Sequence, residues 1–455
     1  MHPEEIIGAS ENFIAAASRL GGAIRFRTIA FAEQEKIDGS QFLALHEHLR
    51  ASYLLTAERL TWERVADYSL LLTWKGESSE KPLALLAHMD VVPVTPGTES
   101  DWTHEPFSGH FDGQYVWGRG ALDMKGQLIS ILEAVEGLLA QGFRPARDVY
   151  LCFGHNEEIV AAPASGARAI MELLRSRGIQ LETIIDEGGA AMDGKSLLGL
   201  PGTVAVVGLA EKGYMDVRLS CAQSGGHSSQ PPRSTALGIL AGAVHTLEKR
   251  PFPPRLTGTV RSMLRHASER MGFGKRLMLR NLWLTKPLVL KIFTGKSITN
   301  ALVRTTSAAT MAQASPAANV LPQYAEVTVN MRLLPGDTME SALEAVRCVI
   351  GDDRVKVERI KGKNPSFESS ADTEGYRAVK AVLEKLYPGI HVAPYLMVGG
   401  TDSCIYEPVC RNIYRVSPFF SSDEDMKSVH GTNERMSLGN LVKGIEFFTE
   451  ILRGN

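Results

Sequence analysis

His88 and Asp90 stand two apart at the end of the apolar run "PLALLAHMD" (82–90), so in a strand they project to the same side. That arrangement suits an imidazole that binds a metal through one nitrogen while a carboxylate holds the other. Glu157 and Glu158 follow Val149, Leu151 and Phe153 in "DVYLCFGHNEE" (148–158). Two like charges at the mouth of a core strand are costly unless something positive sits close by or the two acids do different jobs. Asp123 in "WGRGALDMKGQ", Asp186 in "LETIIDEGG" (181–189) and His430 in "DMKSVHGTNERMS" complete the set. Singly, each has an ordinary reading: a turn for the His-x-Asp pair and for Asp186, a helix cap for Asp123, a solvated side chain for His430. Together, these histidines and carboxylates offer the nitrogen and oxygen ligands of a two-metal hydrolytic site with one carboxylate bridging the ions. Adjacent residues point in different directions, so one glutamate can hold metal while its neighbour takes a proton from the attacking water.

The elements that must position these groups are legible as patterns. The runs 82–90, 148–158 and 181–189 are apolar at nearly every position, as strands buried on both faces of a parallel sheet are. Helical faces lie between them: Leu128, Ile131, Leu132, Val135, Leu138 and Leu139 on one, Ala167, Ile170, Met171 and Leu174 on another. Strands alternating with helices predict an α/β fold, a mixed, mainly parallel sheet with helices on both faces, whose ligands bind beyond the carboxyl ends of the strands. From about residue 209 the texture changes. "EKGYMDVRLSC", "TTSAATMAQAS" and "AEVTVNMRLL" alternate as half-buried strands do, "TALGILAGAVHTLEKR" and "TMESALEAVRCVIG" read as helices, and "RVKVERI" as a last strand. Strand, helix, strand, strand, helix, strand is the split βαβ order of a ferredoxin-like α+β sheet. The expected organisation is therefore a catalytic domain in two parts, 1–208 and 363–455, with an inserted domain at 209–362. The second part closes in a helix with Leu438, Leu441, Val442, Ile445 and Phe448 on one side.

Composition bounds the function classes. A chain of 455 residues is long enough for roughly two or three domains. Its 44% hydrophobic and 22% charged content is that of a globular protein, and a formal charge of -2 gives no reason to expect nucleic acid as a partner. The glycines of "GRGALDMKG" do not make a dinucleotide fingerprint, because the spacing fails and no strand leads directly in. The five cysteines show no CxxC pair and no disulfide framework, which predicts a reducing, cytoplasmic setting. The opening "MHPEEIIGASENFIAAASRLGG" has acids where a leader has a basic start, and no stretch reaches the ~20 apolar residues that span a bilayer.

"AHMDVVPV", "GRGALDMKG", "GHNEE", "DEGG", "GGHSSQPP" and "VHGTNE" occur in the order found in the co-catalytic zinc exopeptidases that include carboxypeptidase S, aminoacylase, glutamate carboxypeptidase and succinyl-diaminopimelate desuccinylase. The chain resembles this family over nearly its whole length, most of all the branch holding carboxypeptidase S and the N-fatty-acyl-amino-acid synthase/hydrolases. The resemblance implies two Zn2+ per subunit, with Co2+ or Mn2+ as substitutes. One ion would be held by His88 and Asp186, the other by Glu158 and His430, with Asp123 bridging both and Asp90 orienting His88. Glu157 would be the general base that activates the bridging water and then protonates the leaving amine. In relatives the peptide bond after the bridging aspartate is often cis; here Met124 stands where a second acid is common.

The inserted domain resembles the family's lid, which implies a homodimer formed through it. His227 of "GGHSSQPP" would reach the partner subunit's site and steady the oxyanion, while Asn300 and Arg332 would line the substrate site, Arg332 gripping a substrate carboxylate. Taken alone, His227 reads as a turn residue and Arg332 as a solvated one. Gly400 belongs to "GGTDSCIY" (399–406), the match to a glycine-rich substrate loop, where Cys404 replaces a common arginine. Residues 252–295 are longer than in compact relatives and mix many basic residues with Leu279, Leu282, Trp283, Leu284, Leu288 and Leu290. They read as a pair of amphipathic helices packed on the lid with the basic side in water; alternatively they form an apolar wall for an acyl chain or a surface that collects amphiphiles. The expected activity is hydrolysis of the amide bond of an N-acyl amino acid or small peptide bearing a free carboxylate. The alternatives are a carboxypeptidase or dipeptidase acting only on peptides, and a metal-binding scaffold without catalysis.

Overall fold

The computed structural model describes residues 11–159, 165–195 and 200–455, so the first ten residues, which begin the stretch read for a leader, lie outside it. The chain divides into two compact units: Met1–Leu209 with Ser369–Tyr395 and Thr401–Asn455, and Ala210–Glu368 with Leu396–Gly400.

The first unit is built on an eight-stranded sheet in the order Thr61–Val65, Ser69–Trp74, Arg147–Gly154, Ser78–His88, Thr183–Asp193, Ile413–Phe420, Thr203–Glu211, His391–Met397. Arg147–Gly154, Ser78–His88, Thr183–Asp193 and Ile413–Phe420 are mutually parallel at its centre, and antiparallel pairs flank them. Continuous apolar sequence is what this position demands, since both faces are covered. On one face Leu83, Leu85, Ala87, Val149, Leu151 and Phe153 share a core with the helices Glu11–Ile24, Gly126–Ala140 and Leu438–Arg453. The intervening residues Ala84, Leu86, Tyr150 and Cys152 are buried on the other face, where the helix Gly166–Ser176 packs along Arg147–Gly154 through its Ile170, Met171 and Leu174 side. Fold class and helix placement are as the sequence predicts.

The last helix buries a rotated face. Leu438, Leu441, Gly444, Phe447, Phe448, Ile451 and Leu452 point inward, whereas Val442 and Ile445 are half-buried. Gly444 explains the rotation: a Cβ there would come within 2.4 Å of Ser130 Oγ, so its absence lets this helix and Gly126–Ala140 approach closely.

The second unit holds a four-stranded antiparallel sheet in the order Thr306–Gln313, Tyr324–Leu333, Gly213–Ala222, Lys356–Lys363. Burial alternates along Tyr324–Leu333, and its inward residues Val327, Val329 and Met331 meet Met215, Val217 and Leu219 beneath the helices Ala236–Lys249 and Met339–Ile350. The chain order is the expected split βαβ. The unit runs on to Glu368 because Ser366 doubles back on Glu211: Ser366 N donates to Glu211 O, and Glu211 N donates to Ser366 Oγ at 2.8 Å. Between Ala236–Lys249 and Thr306–Gln313 lie the helices Gly258–Ser268, Phe273–Arg280, Leu282–Phe293 and Ser297–Val303, so that residues 252–295 hold three helices where a pair was expected.

Candidate metal centre

His88 is the last residue of its strand and is almost fully buried. Its Nδ1 lies 3.0 Å from the Asp90 carbonyl oxygen and 3.5 Å from Asp90 Oδ1, an all-acceptor surrounding that makes Nδ1 the protonated nitrogen and leaves Nε2 to face the site. The buried Asp90 carboxylate does a second task. Its oxygens accept the backbone N–H groups of Glu157 at 3.2 Å and Glu158 at 3.1 Å, so Asp90 steadies the ring through its carbonyl and the turn that carries the acid pair through its carboxylate.

Asp123 lies on the tight turn Ala121–Lys125, which leads into the helix Gly126–Ala140, and the bond to Met124 is cis. Its Oδ1 is 3.1 Å from His88 Nε2 and its Oδ2 is 3.0 Å from His430 Nε2, the two-sided placement expected of a bridging carboxylate. His430 Nε2 is also 3.1 Å from Glu158 Oε2. The loop aims this ring by taking a left-handed backbone, φ 60° at His430, a conformation that costs of order 1–3 kcal/mol for a side-chain-bearing residue and persists where surroundings impose it.

Those surroundings centre on Glu434, a residue that had no role in the sequence reading. It is fully buried, with Oε2 accepting Arg119 Nη1 at 2.7 Å and Gly120 N at 3.0 Å, and Oε1 accepting Leu122 N at 2.9 Å and Asp123 N at 3.1 Å. Arg119 Nη2 in turn reaches Gly431 O at 2.8 Å. The buried pair thus ties the His430 loop to the Asp123 turn. Its only sequence signal was the motif "VHGTNE" itself.

The third strand brings two acids, Asp186 and Glu187, to the site. Asp186 turns its oxygens to backbone donors, Ser403 N at 3.1 Å and Glu187 N at 2.9 Å, while Glu187 Oε1 lies 3.4 Å from His88 Nε2. Pairing with Ile413–Phe420 passes from Asp186 opposite Arg415 to Gly189 opposite Val416, so Glu187 and Gly188 are extra residues in the ladder. Such a bulge re-aims a side chain, and simple alternation cannot foresee it. Gly189 then lets the strands close up again, since a Cβ there would fall 1.9 Å from Val206 O. Asp402 is a second unforeseen acid. It lines the same cavity as His88, Glu157, Asp186, Glu187 and Tyr406, inside the "GGTDSCIY" motif that also carries Cys404. Cys404 Sγ itself turns back toward Thr401 O at 3.4 Å.

Donor atoms of His88, Asp123 and Glu158 lie within 4.8 Å of one another, as do those of His88, Glu157 and Glu187. Electrostatics identifies what this gathering lacks. Burial, together with Glu187, Asp402 and Glu158, holds the Glu157 carboxyl well above the usual range despite His88. Burial and Asp123 push Glu187 up to about 8. Hydrogen bonds that His430 donates to Asp123 and Glu158 push it up to about 10, and Glu187 and Asp123 outweigh burial in raising His88. Glu157 and Glu187 thus resist ionisation, while His430 and His88 outweigh burial in holding Asp123 below the usual carboxylate range, which is the behaviour of buried acids that outnumber the cations near them. Divalent cations would offset that surplus, and a mixed imidazole and carboxylate set suits zinc or a similar ion. The residues present fit such ions.

Residues 84–454 match Peptidase family M20/M25/M40. The chain belongs to that family. A probable carboxypeptidase S-like 2 of Dictyostelium discoideum is 37% identical over 445 residues, 97% of this chain and 85% of that protein. An N-fatty-acyl-amino acid synthase/hydrolase of Mus musculus is 34% identical over 452 residues, 98% of this chain and 88% of that protein. Among solved structures, an M20 family metallo-carboxypeptidase from Sulfolobus solfataricus superposes with a TM-score of 0.69 over 98% of this chain and 99% of that one; at 19% identity this shows the fold. The M20 chain is therefore a metal-dependent hydrolase of the metallopeptidase and amidohydrolase type.

The other residues singled out in the sequence belong to the second unit. His227 is exposed on the short strand Gly226–His227, with Nδ1 2.7 Å from Ser229 Oγ. Asn300 lies on Ser297–Val303, its Oδ1 buried with no hydrogen-bond partner among the described residues. The Arg332 guanidinium sits 4.8 Å from the Tyr214 ring centre. Gly400 is packed beside Lys363 and Glu211, where a Cβ would meet Lys363 Nζ at 2.5 Å.

Proposed function

We propose that this M20 enzyme hydrolyses the amide bond of an N-acyl amino acid or small peptide bearing a free carboxylate, with two divalent ions, zinc first among them. The observation that carries the reading is Asp123, whose two oxygens address His88 and His430 separately. Glu158 and His430 would hold one ion, and His88 the other together with Asp186, as the sequence assigns it, or with its neighbour Glu187, whose Oε1 lies 3.4 Å from His88 Nε2. When bound, such ions polarise the scissile carbonyl and make water a nucleophile near neutral pH. Glu157 receives the proton of the attacking water on its carboxylate as oxygen bonds to the carbonyl carbon. It returns that proton to the nitrogen as the C–N bond breaks, releasing an acid and an amine. Asp90 keeps His88 in the right tautomer throughout.

Asn300, Arg332, His227 and Gly400 are assigned to substrate recognition, Arg332 to the free carboxylate and His227 to the oxyanion in a homodimer formed through the second unit. A cytoplasmic setting agrees with five cysteines that form no disulfide among the described residues, and none of the described helices is long and apolar enough to cross a membrane. The names of the Dictyostelium and mouse relatives support a carboxypeptidase and an N-acyl amino acid reading respectively. Metal analysis combined with a chelator-sensitive assay on N-acyl amino acids and dipeptides separates them: cleavage of dipeptides alone would leave the peptidase reading, and a protein that binds no ions would end both.

Two further outcomes are expected. With Glu187 as the ligand, Glu187→Ala should lose about one ion per chain, while Asp186→Ala should keep both and loosen the Ser403 turn, as read by elemental analysis. The reverse result would give the ligand role to Asp186. Arg332→Ala should raise KM about 10- to 100-fold for substrates with a free carboxylate, the worth of a charge-assisted hydrogen-bond pair, and leave amidated analogues unchanged.

A further inference from the structure

The helices Phe273–Arg280 and Leu282–Phe293 present an apolar surface to solvent. Phe273 is 82% exposed, Trp283 83% and Leu284 66%, with Leu277, Leu288 and Ile292 exposed beside them. Helical spacing accounts for the split: Val289 and Phe293, four apart, are buried, while Leu284, Leu288 and Ile292, also four apart, face out. The pair is held as one piece by Thr285 Oγ1, which lies 2.6 Å from Met278 O and 3.0 Å from Asn281 O. Of the two readings of this segment, the one that kept only the basic side in water does not account for these exposed apolar residues.

The charge around it is one-sided. Lys275, Arg280, Lys286, Lys291 and Lys296 are exposed, and the sequence has no acid between Glu269 and Glu326. Water-facing Trp, Phe and Leu side chains ringed by uncompensated lysine and arginine are the composition of a helix that lies in a lipid headgroup layer, its apolar residues in the acyl boundary and its basic stems reaching up to phosphates. A self-complementary interface between copies would set these cations against each other; an anionic bilayer complements them. No described helix is long and apolar enough to cross a membrane, so the seat lies in the plane of the surface.

We propose that the hairpin 273–293 docks this enzyme on an anionic lipid bilayer. The proposal is independent of the substrate reading, and its test uses no substrate. The full chain, loaded with its ions, is sedimented with vesicles of phosphatidylcholine alone and with vesicles containing phosphatidylglycerol at low ionic strength. Binding at least about tenfold tighter to the anionic vesicles, weakened by added salt, is expected. Trp283→Ser/Leu284→Ser/Leu288→Ser and, separately, Arg280→Glu/Lys286→Glu/Lys291→Glu should each lose at least about tenfold in binding while unfolding temperature and ion content stay at the wild-type values. The proposal is overturned if the wild-type protein stays in the supernatant with both vesicles, or if either variant binds as the wild type does. Light scattering adds a separate arm: if the serine variant splits a wild-type dimer, the face belongs to a second copy and the proposal is lost.

Discussion

Glu157→Gln should lower turnover about 10²- to 10⁴-fold, the range for loss of a positioned general base, while the ion content of the protein stays unchanged. The separation of roles follows from placement. Glu158 meets His430 and Asp123 bridges the histidines, whereas Glu157 sits in the buried cavity with Glu187 and Asp402, and its backbone N–H is held by Asp90. The amide keeps the shape and hydrogen bonds to that cavity but has no basic oxygen. Paired kinetics and elemental analysis decide the matter. Loss of an ion along with activity would make Glu157 a ligand, and full activity would remove it from the mechanism. Either result would leave the inactive-scaffold alternative to be weighed by whether the parent protein turns over at all.

Glu434→Ala should destabilise the fold by about 3–5 kcal/mol in denaturant unfolding and abolish ion binding at the bridge, although Glu434 touches neither histidine of the site. Removing it leaves the Arg119 guanidinium buried without its counter-charge and strips an acceptor from the amides of Gly120, Leu122 and Asp123. Because both members of the pair serve one network, Arg119→Met/Glu434→Leu should cost less than the sum of its single variants. Additive costs would mean that the two residues act separately. Retained ion content in Glu434→Ala would show that the Asp123 turn holds its shape without this support.

Much of the centre was legible because its donors sit where local patterns end. His88 closes a strand that burial on both faces forces to be apolar, and Glu157 and Glu158 sit on the turn just beyond Gly154, the end of the parallel neighbour, so chain direction alone brought them to one edge of the sheet. The split βαβ order of the second unit was equally plain, since alternation and helical spacing are properties of short stretches. What failed were inferences that require a partner. The face of Leu438–Arg453 is set by how near Ser130 can come to Gly444, not by the helix's own periodicity.

The sequence by itself determined the kinds of element, their order and the identity of the donor atoms, because burial imposes its period on each segment independently. Only the tertiary structure decided that Glu187 faces His88 while Asp186 serves the backbone, that Glu434 fastens the Asp123 turn, and that the 273–293 hairpin turns leucines and a tryptophan to water. Each of these depends on a ladder register, a buried pair or a packing face shared with residues far away in the chain, and no local pattern carries that information.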